Sequence, residues 1–235
     1  MATTNFGLPF IVGGQAQKHV THNESLDVLD ALIPSVVISA TETSPVGTPA
    51  EGDCYIVPTG GSFGATAVGD LVVYTGGAWR AIPSRFGHRI LVLDQGREWI
   101  NGGSQGWVPG QVIGPQGGTL GVRVVEFEVD LSVGGTSVTV SGAIPSRVIV
   151  FGVTSWVGDN ITGPDQFKVG TPSEVDKFGS YIWRDAPSSN IGVVGPFATY
   201  SPTDLVVTSQ DESTAFTGGT VYLSALILEP GQAPT

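Results

Sequence analysis

The sequence has little of what stabilises or anchors an exported protein. It contains one cysteine, Cys54, among 235 residues. A single cysteine excludes an intrachain disulfide and favours folding in a reducing cytoplasm. The segment 1–6 has no basic residues ahead of an apolar run, so we expect no secretory signal, and no run approaches the roughly 20 apolar residues of a membrane helix. These absences predict synthesis in the cytoplasm without membrane insertion.

Charged residues are also scarce. They make up 13% of the chain, compared with about 25% in typical soluble domains. The net charge of −11 disfavours nucleic acid as a partner, because phosphate binding depends on Lys and Arg. Hydrophobic residues nevertheless reach 40%, which is enough for a packed core. We therefore expect a folded protein whose surface is uncharged or covered by other subunits.

No catalytic motif stands in the setting that it needs. The chain has three His and lacks a P-loop and a His-Glu-x-x-His helix. Gly-x-Ser-x-Gly occurs at 60–64 and 102–106, but in Gly-rich turns between predicted strands and not at the strand-to-helix turn of a nucleophile elbow. We expect no enzymatic activity, no cofactor and no metal centre. Two open alternatives involve the C-terminal acids: a carboxylate pair that cleaves polysaccharide, or a Ca²⁺ site at Asp159, Asn160 and Asp165. Solvated turn residues are the favoured interpretation of Asp159, Asp165, Glu174, Asp176, Asp185, Asp211 and Glu212.

What is present begins with one helical pattern near the N-terminus. Thr21 and Glu24 have the spacing of a capping box, which predicts that the helix starts there, and Pro34 ends it. Four apolar residues then share one face: Leu26, Leu29, Leu32 and Ile33. A helix of about a dozen residues is marginal alone in water. We expect this face to pack on the chain's own β-structure or on the same helix of symmetry-related copies.

The rest of the sequence favours β-structure in two regions. Short apolar strands between Gly-rich turns predict a small β-hairpin module over 49–109. The Gly-rich segment 110–121 is interpreted as a linker. Beyond it, 122–235 alternates strand and turn, and seven or more strands at this spacing predict an antiparallel, jelly-roll-like β-sandwich. The predicted fold class is all-β with one short N-terminal helix, and 1–33 forms a separate attachment arm.

Two details of these regions can be checked against a structure. Within the module, Trp79, Trp99 and Trp107 are predicted to pack the hairpins. Near the end of the chain, the strand at 221–228 is apolar throughout, so we expect a central position in its sheet, because an exposed edge of that kind would aggregate. Earlier in the sandwich, Val129, Leu131 and Val133 alternate with polar residues and predict a strand with one wet face.

The N-terminal half resembles a family of proteins from alphaproteobacterial tailed phages and gene transfer agents. The resemblance is carried by a Leu8-Pro9 start, the string GQAQKHVTHNESL at 14–26, Glu51-Gly52-Asp53 followed by Tyr55-Ile56-Val57, and Gly77-Ala78-Trp79. It covers about 8–110. It implies a fibre or spike on the virion, with the N-terminus bound to tail or baseplate proteins, and it implies no catalytic residues. The expected docking residues are Leu8, Pro9, Phe10, Gln15, Gln17, Lys18, His19 and His22.

His19 and His22 allow a second interpretation. They stand three residues apart beside Glu24, a spacing that places metal ligands on one helical face, or gathers imidazoles near the axis of a trimer. Hydrogen bonds that fix the attachment helix are the favoured role.

Exposed aromatics suggest how the C-terminal region recognises a target. Sugar rings stack on aromatic faces beside hydrogen-bonding side chains, and such residues are concentrated in the predicted loops here. The candidate glycan-binding residues are Trp156, Asn160, Tyr181, Trp183, Asp185 and Tyr200. Core or subunit-interface packing is the favoured interpretation of Trp156 and Tyr181, and receptor contact is the alternative. The sequence thus predicts a homotrimeric tail fibre whose distal domain contacts host-surface glycan; a head-decorating spike and a capsule depolymerase remain alternatives.

Overall fold

The structure is a computed structural model that describes residues 10, 18–33, 36–82 and 84–231. The chain forms two compact units: the second spans Leu120–Pro230, and the first comprises the described residues up to Thr119 together with Gly231. Strands dominate both units, and one α-helix lies near the N-terminus of the described ranges. The predicted all-β class with one short helix is confirmed. Within the same ranges, no helix combines the length and the hydropathy needed to cross a bilayer.

Helix α1 spans Lys18–Leu32 and ends two residues before Pro34. The capping box predicted at Thr21 is wrong, because three helical residues precede that position. Of the two partners expected for the apolar face, the chain's own β-structure is contacted mainly by a neighbouring residue. Val28 packs against the core of the first unit, whereas Leu29 and Ile33 are 47% and 57% exposed. Packing of this face on symmetry-related copies stays a prediction.

Two small sheets build the first unit. Its strands are β1 (Val36–Val37), β2 (Cys54–Ile56), β3 (Leu71–Thr75), β4 (Ala78–Ile82), β5 (Arg89–Val92), β6 (Arg97–Asn101), β7 (Trp107–Pro109) and β8 (Val112–Ile113). One sheet has the order β2-β3-β4, and the other has the order β1-β5-β6-β7 with β1 parallel to β5. Because β1 pairs with β5, the module includes residues before position 49. Strand β8 belongs to neither of these sheets and lies within the segment that the sequence indicated as a linker.

Aromatic side chains pack the hairpins of this unit, as predicted. The Trp79 ring contacts Tyr55, Phe63 and Tyr74 at centroid distances of 5.1–5.6 Å. Trp107 is buried, and its Nε1 donates a hydrogen bond to the Gly69 carbonyl at 3.1 Å. Trp99 Nε1 donates to the side-chain oxygen of Gln95. These indoles therefore hold turns and strands together rather than facing a ligand.

Cys54 gives a reporter for the folding of the first unit. It lies in β2 with 6% of its surface exposed, and burial raises the pKa of its thiol to about 12. Because the thiolate is the reactive form, we expect no labelling by a thiol-specific reagent at pH 8 in the native protein. One equivalent of label should react after unfolding in denaturant. Complete labelling within minutes under native conditions would contradict the packing described for β2.

The second unit is an eight-stranded sandwich. Its strands are β9 (Thr119–Asp130), β10 (Ser137–Ile144), β11 (Val148–Thr162), β12 (Gln166–Thr171), β13 (Glu174–Trp183), β14 (Ser189–Thr199), β15 (Thr203–Ser209) and β16 (Gly218–Gly231). They are ordered β14-β11-β16-β9 in one sheet and β10-β15-β12-β13 in the other. This is the order of a jelly roll. The predicted sandwich is thereby confirmed, and β16 is central, as expected.

Alternating side chains from the two sheets fill the core between them. Phe167, Phe178 and Phe216 are each no more than 1% exposed, and they pack with Val and Leu from the central strands. The alternation predicted through Val133 ends earlier. Strand β9 stops at Asp130, and a 3₁₀ turn at Leu131–Val133 leaves Val133 72% exposed.

The jelly roll has two distinct ends. The chain enters at Leu120 and leaves at Pro230 at the same end, where Arg123 and Glu229 form an ion pair at 3.2 Å. The connections 131–136, 163–165, 184–188 and 210–217 meet at the opposite end, which we call the loop end. Backbone hydrogen bonds join them: the Phe216 amide donates to Gly135, and the Arg184 amide donates to Asp165. Strand order thus places four loops far from the point of chain entrance.

Candidate functional site

An open groove of about 430 Å³ lies at the loop end of the jelly roll. It is lined by Gly163, Pro164, Asp165, Gln166, Tyr181, Gln210, Asp211 and Thr214. These residues come from the connection after β11, the first residue of β12, the edge strand β13 and the connection after β15. The groove is shallow and polar with one aromatic, a composition suited to a hydrated ligand rather than to a small apolar cofactor.

Tyr181 stands out in this groove because its backbone is strained. Its φ is +57°, a left-handed value that a bulky residue adopts only when its surroundings impose it. The register between β12 and β13 shifts just there, so Tyr181 lies on a bulge of an edge strand. Its amide donates to Gln210 Oε1 at 2.8 Å, and its side chain is 67% exposed. The fold therefore holds an aromatic ring in solvent at a cost in backbone energy.

Polar side chains line the groove around Tyr181. Gln166 Nε2 donates to the Tyr181 carbonyl at 3.5 Å, and Asp165 pairs with Arg184 at 2.8 Å. Asp211 accepts hydrogen bonds from the amide and the hydroxyl of Thr214, at 2.9 and 2.6 Å. Those bonds hold the pKa of Asp211 well below its usual range. Asp211 is therefore anionic at neutral pH and serves as a hydrogen-bond acceptor.

The structure brings four of the six predicted glycan-binding residues to the loop end. Trp183 is 58% exposed on β13, two residues beyond Tyr181. Asp185 lies in the next connection and forms a longer ion pair with Arg184 at 3.9 Å. Asn160 Oδ1 accepts a hydrogen bond from the Ala186 amide at 2.8 Å, which fixes that connection against β11. Asn160 therefore has a structural bond that competes with ligand contact.

The other two predicted residues lie elsewhere. Tyr200 is 88% exposed but follows β14 at the end where the chain enters, beside the Arg147 turn. Trp156 stands on the outer face of the β11 sheet, where its ring contacts Tyr222 across the strands at 5.7 Å. A second groove of about 500 Å³ runs past this pair and is bordered by Glu126 and Glu128. Trp156 and Tyr200 therefore do not share a surface with Tyr181, and their role as glycan-binding residues stays a prediction.

Sequence reasoning missed the two glutamines of the groove. Gln166 and Gln210 carry no motif, and they become neighbours only because β12 and β15 pair with the Gln210 amide on the Gln166 carbonyl. Their side chains then bracket the Tyr181 backbone from both sides. No pattern along the chain indicates this pairing; a predicted strand register would have been needed.

The predicted docking residues are only partly covered by the structure. Leu8, Pro9, Gln15 and Gln17 lie outside the described residues, and Phe10 is half-buried. Lys18, His19 and His22 belong to α1, with His22 exposed. No structural finding bears on their role in docking.

The residues suggested for a Ca²⁺ site do not converge. Asp159 accepts from the Thr220 hydroxyl, Asn160 from Ala186, and Asp165 pairs with Arg184, so the three oxygens suggested for Ca²⁺ serve separate bonds. Across the described parts of the chain, no three His, Cys, Asp or Glu side chains come together in a way that would hold a metal. Glu212 pairs with the buried Lys168, and Glu174 with Lys177.

Comparison with known proteins bears on the first unit. A family model described as a protein of unknown function, DUF2793, matches residues 22–108. This stretch contains most of α1 and the strands β1 to β6, together with the start of β7. No curated protein matches the chain. The description of the family assigns no activity, and the match stops short of the jelly roll.

Proposed function

We propose that this chain is the receptor-binding subunit of a fibre or spike on a tailed phage or gene-transfer-agent-like particle. Its N-terminal segment docks on tail or baseplate proteins, and the loop end of the jelly roll binds glycan on the host surface. The chain acts as a homotrimer of the virion and is synthesised in the host cytoplasm. It binds without catalysis.

The observation that carries this proposal is the strained, exposed Tyr181 at the loop end. A left-handed non-glycine residue costs about 1–3 kcal/mol and persists where the surroundings over-determine it, most often at ligand sites. Here the surroundings are two glutamines, and carboxylates and a guanidinium lie nearby. An aromatic face flanked by amide and charged groups offers stacking and hydrogen bonds to a sugar ring. The loops lie opposite the end where the chain enters, which leaves them accessible.

A depolymerase is the weaker alternative. Glycoside cleavage needs one carboxyl group with a raised pKa to act as the acid. Asp211, the acid with the most hydrogen bonds in the groove, has its pKa shifted in the opposite direction. Attachment to the head rather than the tail is equally compatible with the jelly roll, because both locations leave the loop end free.

Substitution of Tyr181 tests the proposal directly. Tyr181→Gly removes the ring and relieves the positive φ, so the variant should keep or gain stability by up to about 1 kcal/mol. Loss of one stacked aromatic should weaken binding of the full-length protein to intact host cells by about 10-fold or more. The measurement is saturable binding of fluorescent protein to cells, repeated after periodate oxidation of surface sugars. Wild-type binding should disappear on oxidation.

A matched control uses Tyr200→Gly. Tyr200 is even more exposed but lies at the opposite end, so its loss should leave binding unchanged. Binding should also change little between 50 and 300 mM salt, because an acidic protein gains nothing by steering toward an anionic envelope. Unchanged binding by the Tyr181→Gly variant would contradict the proposal that glycan binds in the groove at the loop end. A selective loss with Trp156→Ala would place the receptor site on the β11 sheet instead.

A further inference from the structure

The outer face of the β14-β11-β16-β9 sheet carries large apolar side chains where solvent would favour polar ones. Ile191 and Val193 on β14 are each 76% exposed, and Trp156 on β11 is 54% exposed. We define this outer face by Leu120, Val122, Val124, Phe151, Trp156, Ile191, Val193, Tyr222 and Leu226. The inward residues of the same strands form the core. These strands are therefore apolar on both sides, a pattern typical of sheets that are buried on both faces.

Strand register makes these side chains contiguous. Trp156 stands opposite Tyr222, and Thr154 stands opposite Ile191 on one side and Ser224 on the other. In the next row Gly152 lies between Val193 and Leu226. Gly152 has no side chain, and a Cβ there would meet the Gly192 carbonyl oxygen, so Val193 and Leu226 flank a bare stretch of backbone. These rows place the apolar side chains of β14, β11 and β16 beside one another and not scattered over the surface.

We propose that the outer face is the contact between copies of this chain in its homo-oligomer. The nine side chains expose on the order of 800 Å², which is about what one partner contributes to an interface of standard size. A single apolar patch on a monomer rarely exceeds about 300–600 Å². The inference rests on the homotrimer of the proposed function and adds the surface through which the subunits meet.

The charges on this face favour a second copy over other occupants. Glu126 and Glu128 are the charged side chains that border its groove, and they would repel an anionic membrane or nucleic acid. They lie on β9, at one side of the sheet, whereas Ile191 and Val193 lie on β14 at the other side. In a closed ring the β14 side of one subunit meets a different part of its neighbour, so the acidic border need not face itself. Trp156 then packs between subunits, and Tyr181 remains available to ligand.

Val193→Asp in the full-length chain tests the interface. Val193 is exposed in the single subunit, so the substitution should leave its fold intact, whereas an unpaired charge in the contact should separate the copies. We expect light scattering to give a closed oligomer for wild type and a single 24.3 kDa chain for the variant at micromolar concentration. Val133→Asp is the matched control. It introduces the same charge at a side chain 72% exposed outside this face, and it should remain oligomeric.

Each result decides the matter. A monomeric wild type, or a Val193→Asp variant that keeps the wild-type mass, overturns the interface. The separate cell-binding assay distinguishes this failure from that of the proposed function. A monomeric wild type that still binds host cells through Tyr181 would contradict the proposed interface and leave the proposed receptor role intact. An oligomeric wild type that Val193→Asp separates, but that binds no host glycan, would support the interface and contradict the receptor role.

Discussion

Truncation of Phe167 to alanine should destabilise the jelly roll by about 4 kcal/mol. The Phe167 side chain is fully buried in β12 and packs in the core between the two sheets. Removing a buried phenyl ring costs the transfer free energy of its carbons and leaves a cavity, a combination that typically amounts to about 3–5 kcal/mol. The free energy of unfolding of a whole domain is only about 5–15 kcal/mol. The variant should therefore stand close to unfolding at physiological temperature.

The measurement is urea unfolding of the full-length chain with separate signals for the two units. Hydrogen exchange of backbone amides in β11 and β16 reports the second unit, and labelling of Cys54 reports the first. Val133→Ala is the control, because its side chain is 72% exposed and should change stability by less than about 0.5 kcal/mol. Protection of Cys54 should be unaffected by either substitution. If Phe167→Ala lowered the free energy of unfolding by less than about 1 kcal/mol, the core would not be packed as described.

Strong local patterns explain why much of the fold could be predicted from the sequence. The Gly76-Gly77 turn is an example. Both glycines adopt positive φ, at +61° and +79°, and Glu51 accepts hydrogen bonds from both amides, so β3 and β4 pair as the sequence indicated. The apolar run at 221–228 likewise predicted a buried central strand. In both cases adjacent residues contain the information.

Strand β14 shows where such patterns fail. It was not predicted, because Gly192, Gly195 and Pro196 interrupt it and weaken the β signal. Its apolar residues Ile191 and Val193 also face outward, so the usual link between hydrophobic alternation and a buried face points the wrong way. The helix shows a similar limit: its leucines gave the clearest stripe, yet Val28 makes the contact with the first unit while Leu29 stays exposed. Long-range packing decided both outcomes.

The candidate site was predicted as a list of residue types and not as an arrangement. Exposed aromatics were identified correctly, but the sequence could not separate Trp156 from Tyr181, because their strands belong to different sheets. Tyr200 was grouped with them although it lies at the opposite end. Which residues share a site depends on strand order, and that order is set by pairings between segments tens of residues apart.

Gly192 provides the second large effect, because two strands approach too closely there for any side chain. A Cβ built at Gly192 would overlap the carbonyl oxygens of Phe178 and Val153, which are backbone atoms of β13 and β11. Neither can move without breaking its ladder, so Gly192→Ala must push β14 outward. Overpacking in a tight core typically costs about 1–3 kcal/mol, and a backbone clash lies at the upper end or beyond. We expect Gly192→Ala to lower the free energy of unfolding by at least about 3 kcal/mol.

Gly195→Ala on the same strand is the matched control. A Cβ at Gly195 meets nothing within 4 Å, so this substitution should not strain the folded state. It should be neutral or stabilise by up to about 1 kcal/mol, because alanine lowers the conformational entropy of the unfolded chain. Urea unfolding of both variants, read from exchange in β11 and β16, gives the comparison. Equal stability of the two variants would mean that β14 does not press against β13. Since β14 carries Ile191 and Val193, Gly192→Ala should also weaken the subunit contact proposed above, whereas Gly195→Ala should preserve it.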